Sequence, residues 1–478
     1  MSATAAKYET ITLQNLFEKQ KAKSLELRTG TLAERKTHLK KLRSWLLANR
    51  ESIREAVFAD FRKPATEADI SEVFPVVDEI GVALANLNAW VRPKKIDAPI
   101  TYLGTRAELR YEPKGTCLIV GPWNYPFNLC VGPLVSCLAA GNTAILKPSE
   151  MTPHTSALIA SMVGEIFPPE LVAVVEGDAV VAQQLLTLPF DHIFFTGSPA
   201  VGKVVMRAAA EHLTSVTLEL GGKSPAIIDA TANLKDAARR IAFGKLLNNG
   251  QTCIAPDYVL IEEQVAKPFI ALLQQQMAEL FGRGNPVDEK APDYMRIVNG
   301  RNFDRLHRLM QDAIERGAQP HMAGQPNRDT LFFPPTILTE VSPQAAVMEE
   351  EIFGPILPIV RFKHLDEALN LINEKPKPLS LYVFSSRSAI REEVLMRTSA
   401  GSVVVNDCVI QFTHLNLPFG GVNNSGIGKS HGHYGFLAFS NEKPVLRQRS
   451  GLSNAMFFYP PYSGIKQRLV DFLLKWVV

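Results

Sequence analysis

Apolar positions change their spacing along the chain, and each change predicts a different element. Over residues 15 to 60 they recur at helical intervals. Leu39, Leu42, Trp45 and Leu46 share one face, with Arg35, Lys36, Lys40, Lys41 and Arg43 around them. Those basic residues read as a solvated helix face, not a nucleic-acid contact. From 116 onward short apolar runs alternate with helical stretches. Thr116–Val120, Thr143–Lys147, Leu171–Val175, His192–Phe195 and Thr214–Leu220 are expected strands. The helix after the second is announced by Thr152 as cap and Pro153 at its first position, and it ends before Pro168-Pro169. Five strands separated by crossover helices predict an α/β fold built on a parallel, doubly wound sheet.

A second alternating series runs from Pro225 to about Asn406. It contains Ala226–Asp229, Tyr258–Glu262, Ile356–Arg361, Leu381–Ser385 and Ser402–Val405, and predicts a second α/β domain. Gly221-Gly222 is the expected junction. Residues 97–114 read as a strand pair outside the alternation, with Glu442–Arg449 as its partner.

A chain of 478 residues exceeds what one hydrophobic core organises, in keeping with several domains. A net charge of +3 gives no global case for nucleic acid. The five cysteines, 117, 130, 137, 253 and 408, form no CxxC pair. Neither a disulfide framework nor a metal site is expected, and the cytoplasm is the expected compartment. Met1–Thr12 lacks an apolar signal region, and no stretch reaches the roughly 18 apolar residues of a membrane span. One end is unusual: eight of the last ten residues, Leu469–Val478, are apolar.

Parallel sheets of this kind bind ligands at the carboxyl ends of their strands, so the residues just after each strand carry the interest. Cys253, in Asn249-Gly-Gln-Thr-Cys253, follows a helix end and precedes the strand at Tyr258, a loop position that exposes a thiol. Taken alone it could equally be a small buried hydrophobe. Glu219 alternates with Leu218 and Leu220 one residue from a strand end, where partial burial would make a carboxylate a useful base. Its bland reading is a salt bridge. Asn124, in Gly121-Pro-Trp-Asn124, offers an amide N–H suited to an oxyanion, or simply a turn between prolines. Lys147-Pro-Ser-Glu150 could hold a ribose or cap a helix. Gly197-Ser-Pro-Ala-Val-Gly202 opens a helix whose N–H groups suit a phosphate, or is a plain strand-to-helix turn. With Lys203 that segment nearly spells a nucleotide-triphosphate loop, yet Val204 stands where a hydroxyl is needed. A Gly-Lys-Ser at 222–224 fails too, with Thr217 in place of the leading glycine.

Taken together, the motifs resemble the aldehyde dehydrogenase superfamily. They are Pro122-Trp-Asn124, Lys147-Pro-Ser-Glu150, Phe195-Thr-Gly-Ser198 through Gly202, Leu218-Glu-Leu-Gly-Gly-Lys-Ser224, Gly250-Gln-Thr-Cys253, Glu351-Ile-Phe-Gly-Pro355, and Pro418-Phe-Gly-Gly421 with Ser425-Gly426. Cys-Ile-Ala-Pro-Asp257 and Tyr459-Pro-Pro-Tyr462 resemble the class 3 and fatty aldehyde branch. The resemblance implies an NAD-binding domain over 1–96 and 115–220, a catalytic domain over 221–425, oligomerisation strands at 97–114 and 440–452, and an apolar tail over 459–478. It implies Cys253 as nucleophile, Glu219 as the base that activates water, and Asn124 as oxyanion donor. Glu351 and Phe353 would position the nicotinamide ribose and ring, and Lys147 and Glu150 would bind the adenine ribose. Trp123, Thr196, Gly197, Ser198 and Gly202 complete the expected cofactor site.

Glu150 suits a free 2′-hydroxyl and would repel a 2′-phosphate, so NAD is expected, with NADP open because the branch accepts both. Asn423 stands where related sequences have Gly, which predicts a local backbone difference. The tail resembles a C-terminal helix near the substrate opening of fatty aldehyde dehydrogenases. It favours medium- or long-chain apolar aldehydes, with peripheral membrane contact or packing in a homodimer as further roles. The rival reactions are transfer of the acyl group to coenzyme A, which needs no base at 219, and a non-catalytic protein of the same fold. Retention of Cys253, Glu219 and Asn124 together argues against both.

Overall fold

The computed structural model describes residues 12–99, 102, 104–322, 324–451 and 453–476. Residues 1–11, expected to lack a signal, lie outside them. So do 100, 101 and 103 of the expected strand pair, 452, and Val477 and Val478 of the tail.

In chain order the strands are β1 (Lys94–Ile96), β2 (Arg106–Pro113), β3 (Thr116–Val120), β4 (Thr143–Lys147), β5 (Val172–Val174), β6 (His192–Gly197), β7 (Ser215–Leu220) and β8 (Pro225–Ile228). They continue with β9 (Tyr258–Glu262), β10 (Gln319–Met322), β11 (Thr336–Thr339), β12 (Ile356–Phe362), β13 (Ser380–Phe384), β14 (Ser402–Val405), β15 (Gly426–Ile427) and β16 (Ser440–Arg447). All ten strands expected in the two alternating series form. The pair expected from residue 97 starts earlier, because β1 occupies 94–96.

The first sheet has the order β15-β7-β6-β3-β4-β5. Strands β3 to β7 are parallel, and β15 joins β7 antiparallel. The chain steps outward through β3, β4 and β5, then returns to β6 on the far side of β3. The topological switch therefore falls between β3 and β6, and a crevice opens there at their carboxyl ends. Alternation along β3 supplies both faces. Cys117 and Ile119 pack with Leu42, Leu46, Ile80 and Leu134, while Leu118 packs with Phe190, Ile193 and Leu218. Burial on both faces is what a parallel sheet requires.

The second sheet has the order β10-β11-β12-β9-β8-β13-β14, parallel except for β10. Along β9, Val259 and Ile261 face the helices Leu234–Leu246 and Glu263–Phe281, while Tyr258 and Leu260 face the opposite core. Only residues 221–224 separate the end of β7 from the start of β8. Four residues span at most about 14 Å. The carboxyl edge of the first sheet must therefore face the amino edge of the second. The loops that precede β9 and β12, which hold Cys253 and Glu351–Phe353, consequently look into the crevice of the first sheet. Cys253 thus precedes a strand, as its sequence position implies.

The third sheet, β1-β2-β16, is antiparallel and largely exposed. The helix Pro153–Ile166 starts where expected, yet Thr152 makes no side-chain cap. Asp60, 94 residues earlier, accepts from the amides of His154 at 3.0 Å and Thr155 at 2.9 Å instead. Among the described residues no helix is long and apolar enough to cross a membrane.

Candidate active site

Cys253 is placed by the turn before it. After the helix Leu234–Leu246, Asn248 (φ 55°), Asn249 (φ 53°) and Gly250 (φ 73°) take left-handed conformations, which Asn and Gly accept most readily. Buried hydrogen bonds hold the turn. The Asn248 amide donates to Glu67 Oε1 at 2.7 Å, and Asn248 Nδ2 donates to the carbonyls of Asn124 and Gln251 at 2.9 Å each. Thr252 Oγ1 and Tyr125 Oη lie 2.7 Å apart. The loops carrying Asn124 and Cys253 are thus laced together at neighbouring residues. Asn249 to Thr252 are buried, whereas Cys253 is partly exposed. Burial pushes its thiol well above the usual range, and the nearby Glu351 and Glu219 push the same way. The amides of Cys253 and Ile254 oppose them by donating to sulfur. The other four cysteines are buried, as expected of core filler.

Glu219 lies one residue from the end of β7 and is 5% exposed. Burial raises its carboxyl to about 7, against the Ser430 hydroxyl, which donates to Oε1, and the Lys429 charge. Ser430 is itself fixed by a two-way backbone bridge to Phe419. Sequence reading did not single out Ser430 or Lys429. Their one signal is a further Gly-Lys-Ser, at 428–430, which carries no recognised role and lies 211 residues from Glu219.

On the other side of the crevice, the rings of Trp123 and Phe353 meet edge to face, 5.2 Å between centroids. Glu351 rests against Gly221, where any Cβ would strike its carboxylate oxygens. Burial, then the Asp257 charge, raises Glu351 to about 8, and the Gly222 amide, Lys223 and Arg305 oppose them. Three residues that sequence reading gave no role hold this loop. Lys223 ion-pairs with Asp257 and donates to the carbonyls of Val347 at 2.7 Å and Glu350 at 2.9 Å. Asp257 accepts from the Ile352 amide at 2.9 Å. Arg305 donates to the carbonyls of Glu351 and Ile352 at 3.1 and 2.8 Å.

The remaining expected residues line the carboxyl edge of the first sheet. Lys147 ends β4 and ion-pairs with Glu150 at 2.8 Å; the lysine is buried and the acid exposed. Thr196 and Gly197 end β6. Ser198 caps the helix Pro199–His212, accepting from the Val201 amide at 3.4 Å. Gly202 lets that helix sit on the sheet, since a Cβ there would lie 2.8 Å from Leu220 Cδ2. The Thr196 hydroxyl is buried without a hydrogen-bond partner. An orphaned hydroxyl beside a free helix N-terminus, at a topological switch, fits a dinucleotide. Asn423 adopts φ 53°, a left-handed conformation that asparagine tolerates.

These features define an oxidoreductase of thiol and dinucleotide type. The aldehyde dehydrogenase family matches residues 2–445, and the chain belongs to that family. The chain is 41% identical over 452 residues to the 4,4'-diaponeurosporen-aldehyde dehydrogenase of Staphylococcus aureus, covering 95% of this chain and 97% of that one. It is 42% identical over 448 residues to aldehyde dehydrogenase family 3 member A2 of Mus musculus, covering 94% and 91%. The substrate-bound structure of Staphylococcus aureus AldH superposes with a TM-score of 0.92 at 40% identity, covering 97% of this chain and 99% of that one. The protein is an NAD(P)-dependent aldehyde dehydrogenase, oxidising aldehydes to carboxylic acids, and the class 3 resemblance is borne out.

Proposed function

We propose that Cys253 Sγ attacks the aldehyde carbon, with Asn124 and the Cys253 amide holding the oxyanion of the thiohemiacetal. The observation that carries this reading is the lacing of the Asn124 and Cys253 loops, with Glu219 buried near enough to bear on the Cys253 thiol. Bound NAD(P)⁺ supplies the hydride acceptor. Trp123, Phe353 and Glu351 would hold its nicotinamide end, Thr196, Gly197, Ser198 and Gly202 its phosphates, and Lys147 and Glu150 its adenine ribose. Glu219 then takes a proton from water as the water oxygen attacks the thioester. The C–S bond breaks and sulfur leaves with the electron pair. An exposed carboxylate at 150 favours a free ribose hydroxyl, hence NAD⁺ over NADP⁺.

A cavity leading to Glu219 is walled by Phe74, Pro75, Leu129, Pro133, Phe412 and Leu415. A preference for apolar aldehydes of medium or long chain rests on the C-terminal tail and not on this small cavity. The tail helix Gly464–Trp476 buries none of its described side chains, and Ile465, Phe472 and Leu474 are 80%, 56% and 66% exposed. Apolar area of this kind, with Lys466 and Arg468 beside it, supports a role at the substrate opening, on a lipid surface or against a second subunit. The exposed edges of the β1-β2-β16 sheet support a homodimer through strand addition. Five free thiols suit a reducing compartment, the cytoplasm.

NADH formation over aldehydes of rising chain length, with NAD⁺ and then NADP⁺, tests the reading. Turnover should increase in kcat/KM with chain length and prefer NAD⁺, and Cys253→Ala should abolish it. Undiminished NADH formation by Cys253→Ala would remove the nucleophile assignment.

A further inference from the structure

A second buried carboxyl lines the cavity that reaches Glu219, and the reaction as assigned above makes no use of it. Glu79 lies on the helix Phe74–Trp90 and is 7% exposed. It shares the cavity with Glu219, Ser430, His431, Ser136 and Asp78. Ser430 donates to Glu219, and two residues later the Gly432 amide donates to Glu79 Oε1 at 2.7 Å. Ser136 Oγ lies 3.5 Å from the same oxygen. One three-residue segment therefore touches both acids. That segment carries one costly residue, His431 at φ 73°, and Gly432 at φ 49° follows in a conformation glycine accepts. The following helix, Gly432–Ala438, comes this close only because a Cβ at Gly435 is absent; one there would collide with Ser136 Oγ.

The bland reading makes Glu79 a cap for the Gly432 amide. A glutamine would accept that bond equally well without placing an ionisable group in the core. Burial raises Glu79 to about 7, helped by Asp78 and opposed by the Gly432 amide and Ser136. Glu219 stands at about the same value, so a proton would pass between the two with little driving force either way. The other ionisable groups facing this space are few. Asp78 is partly exposed on the helix that carries Glu79, and Lys429 lies beside Glu219. His431 is kept neutral, pushed down to about 4 by burial, and its Nδ1 has no hydrogen-bond partner. The hydroxyls of Ser430 and Ser136 and the ring of His431 offer the polar contacts that water in such a space requires.

We propose that Glu79 receives, through water in this cavity, the proton that Glu219 takes from the hydrolytic water, and releases it to solvent past Asp78. The inference rests on Glu219 as the deacylating base. The balance is simple: the acyl–sulfur bond breaks, a carbon–oxygen bond forms, and the proton lost by water moves from Glu219 to Glu79 to bulk, restoring Glu219 for the next turnover.

Glu79→Gln separates the two roles, because it keeps an acceptor for Gly432 and removes the proton site. The probe is a 4-nitrophenyl ester, whose nitrophenolate burst reports acylation of Cys253 and whose steady release reports deacylation, with no cofactor present. The expected result is a burst of wild-type size, steady release slowed about tenfold or more, and partial recovery of release with added imidazole. Steady release within twofold of wild type, or a burst reduced in parallel, would overturn the proposal and leave Glu79 a structural cap. Glu219→Gln is measured alongside. If it deacylates normally, the base assignment fails; if it alone is slow, only the relay fails.

Discussion

The carboxyl at 219 gives the sharpest quantitative expectation. Burial raises it to about 7, so ionising it in place costs on the order of 3 kcal/mol more than in water. Only the ionised form can take a proton from water. With a midpoint near 7, about a tenth is ionised at pH 6, half at pH 7 and nine-tenths at pH 8. Deacylation, read as steady nitrophenolate release, should therefore rise about fivefold from pH 6 to 7 and about twofold from 7 to 8. The Ser430 hydroxyl stabilises the ionised form, and a hydrogen bond to a charged group contributes about 1.5–3 kcal/mol. Ser430→Ala should move the midpoint upward by about one unit or more and slow release at pH 7 by about fivefold or more, leaving the plateau at high pH intact. A wild-type midpoint below pH 5.5, or a midpoint that Ser430→Ala leaves in place, would refute the reasoning. The first would mean that solvent reaches the carboxylate freely; the second, that the hydroxyl does not bear on its ionisation.

Lys223→Met strands Asp257 as an unpaired buried charge and should cost about 3–5 kcal/mol, seen as an earlier chemical-denaturation midpoint; an unchanged midpoint would show that the pair is not coupled to folding. Gly250→Ala forces a Cβ onto the Gly354 carbonyl at φ 73°, and should slow alkylation of Cys253 by iodoacetamide as well as lower stability by more than about 1 kcal/mol; wild-type alkylation would mean that the turn does not set the thiol. Deletion after Tyr462 should leave short-chain aldehydes unaffected and raise KM for long-chain ones, and unchanged selectivity would end the substrate role of the tail.

Much of this architecture could be read from residue order, and the exceptions share a cause. Strands such as Thr143–Lys147 and Pro225–Ile228 announce themselves by local pattern, since an apolar run between turn residues has one buried use. Glu219 and Cys253 were legible because each stands at a strand or helix end. Other groups were not. Ser430 acts on Glu219 from 211 residues away, a distance that no local pattern encodes. Asp60 caps the helix at Pro153 in place of Thr152, a choice set by tertiary packing. Strand β15 is two residues long, too short for any alternation, and β10, Gln319–Met322, contains a proline and buries none of its side chains. Lys223 stood in a recognised motif, yet its function depends on Asp257, which only the fold brings to it.

The short link between the sheets explains why the chemistry gathers where it does. A conventional doubly wound domain offers one edge, and its loops must supply every group. Here four residues turn the amino edge of a second sheet onto that edge, and each of the four is used in making the join. Gly221 leaves room for Glu351, and a Cβ on Gly222 would lie 3.2 Å from the Pro378 Cα. Lys223 holds the loop before β12, and Ser224 accepts from the Asp257 amide at 2.7 Å while its hydroxyl takes the Ser380 amide at 3.3 Å. Cys253, the proposed nucleophile, therefore comes from the loop before β9 of the second sheet, and Glu219, the proposed base, from β7 of the first. That arrangement brings a thiol and a carboxylate within electrostatic reach, while burial holds the thiol protonated and leaves the carboxyl divided between its two forms near neutral pH. Reaction then depends on what enters the crevice, because the thiol carries no charge until a partner for that charge arrives.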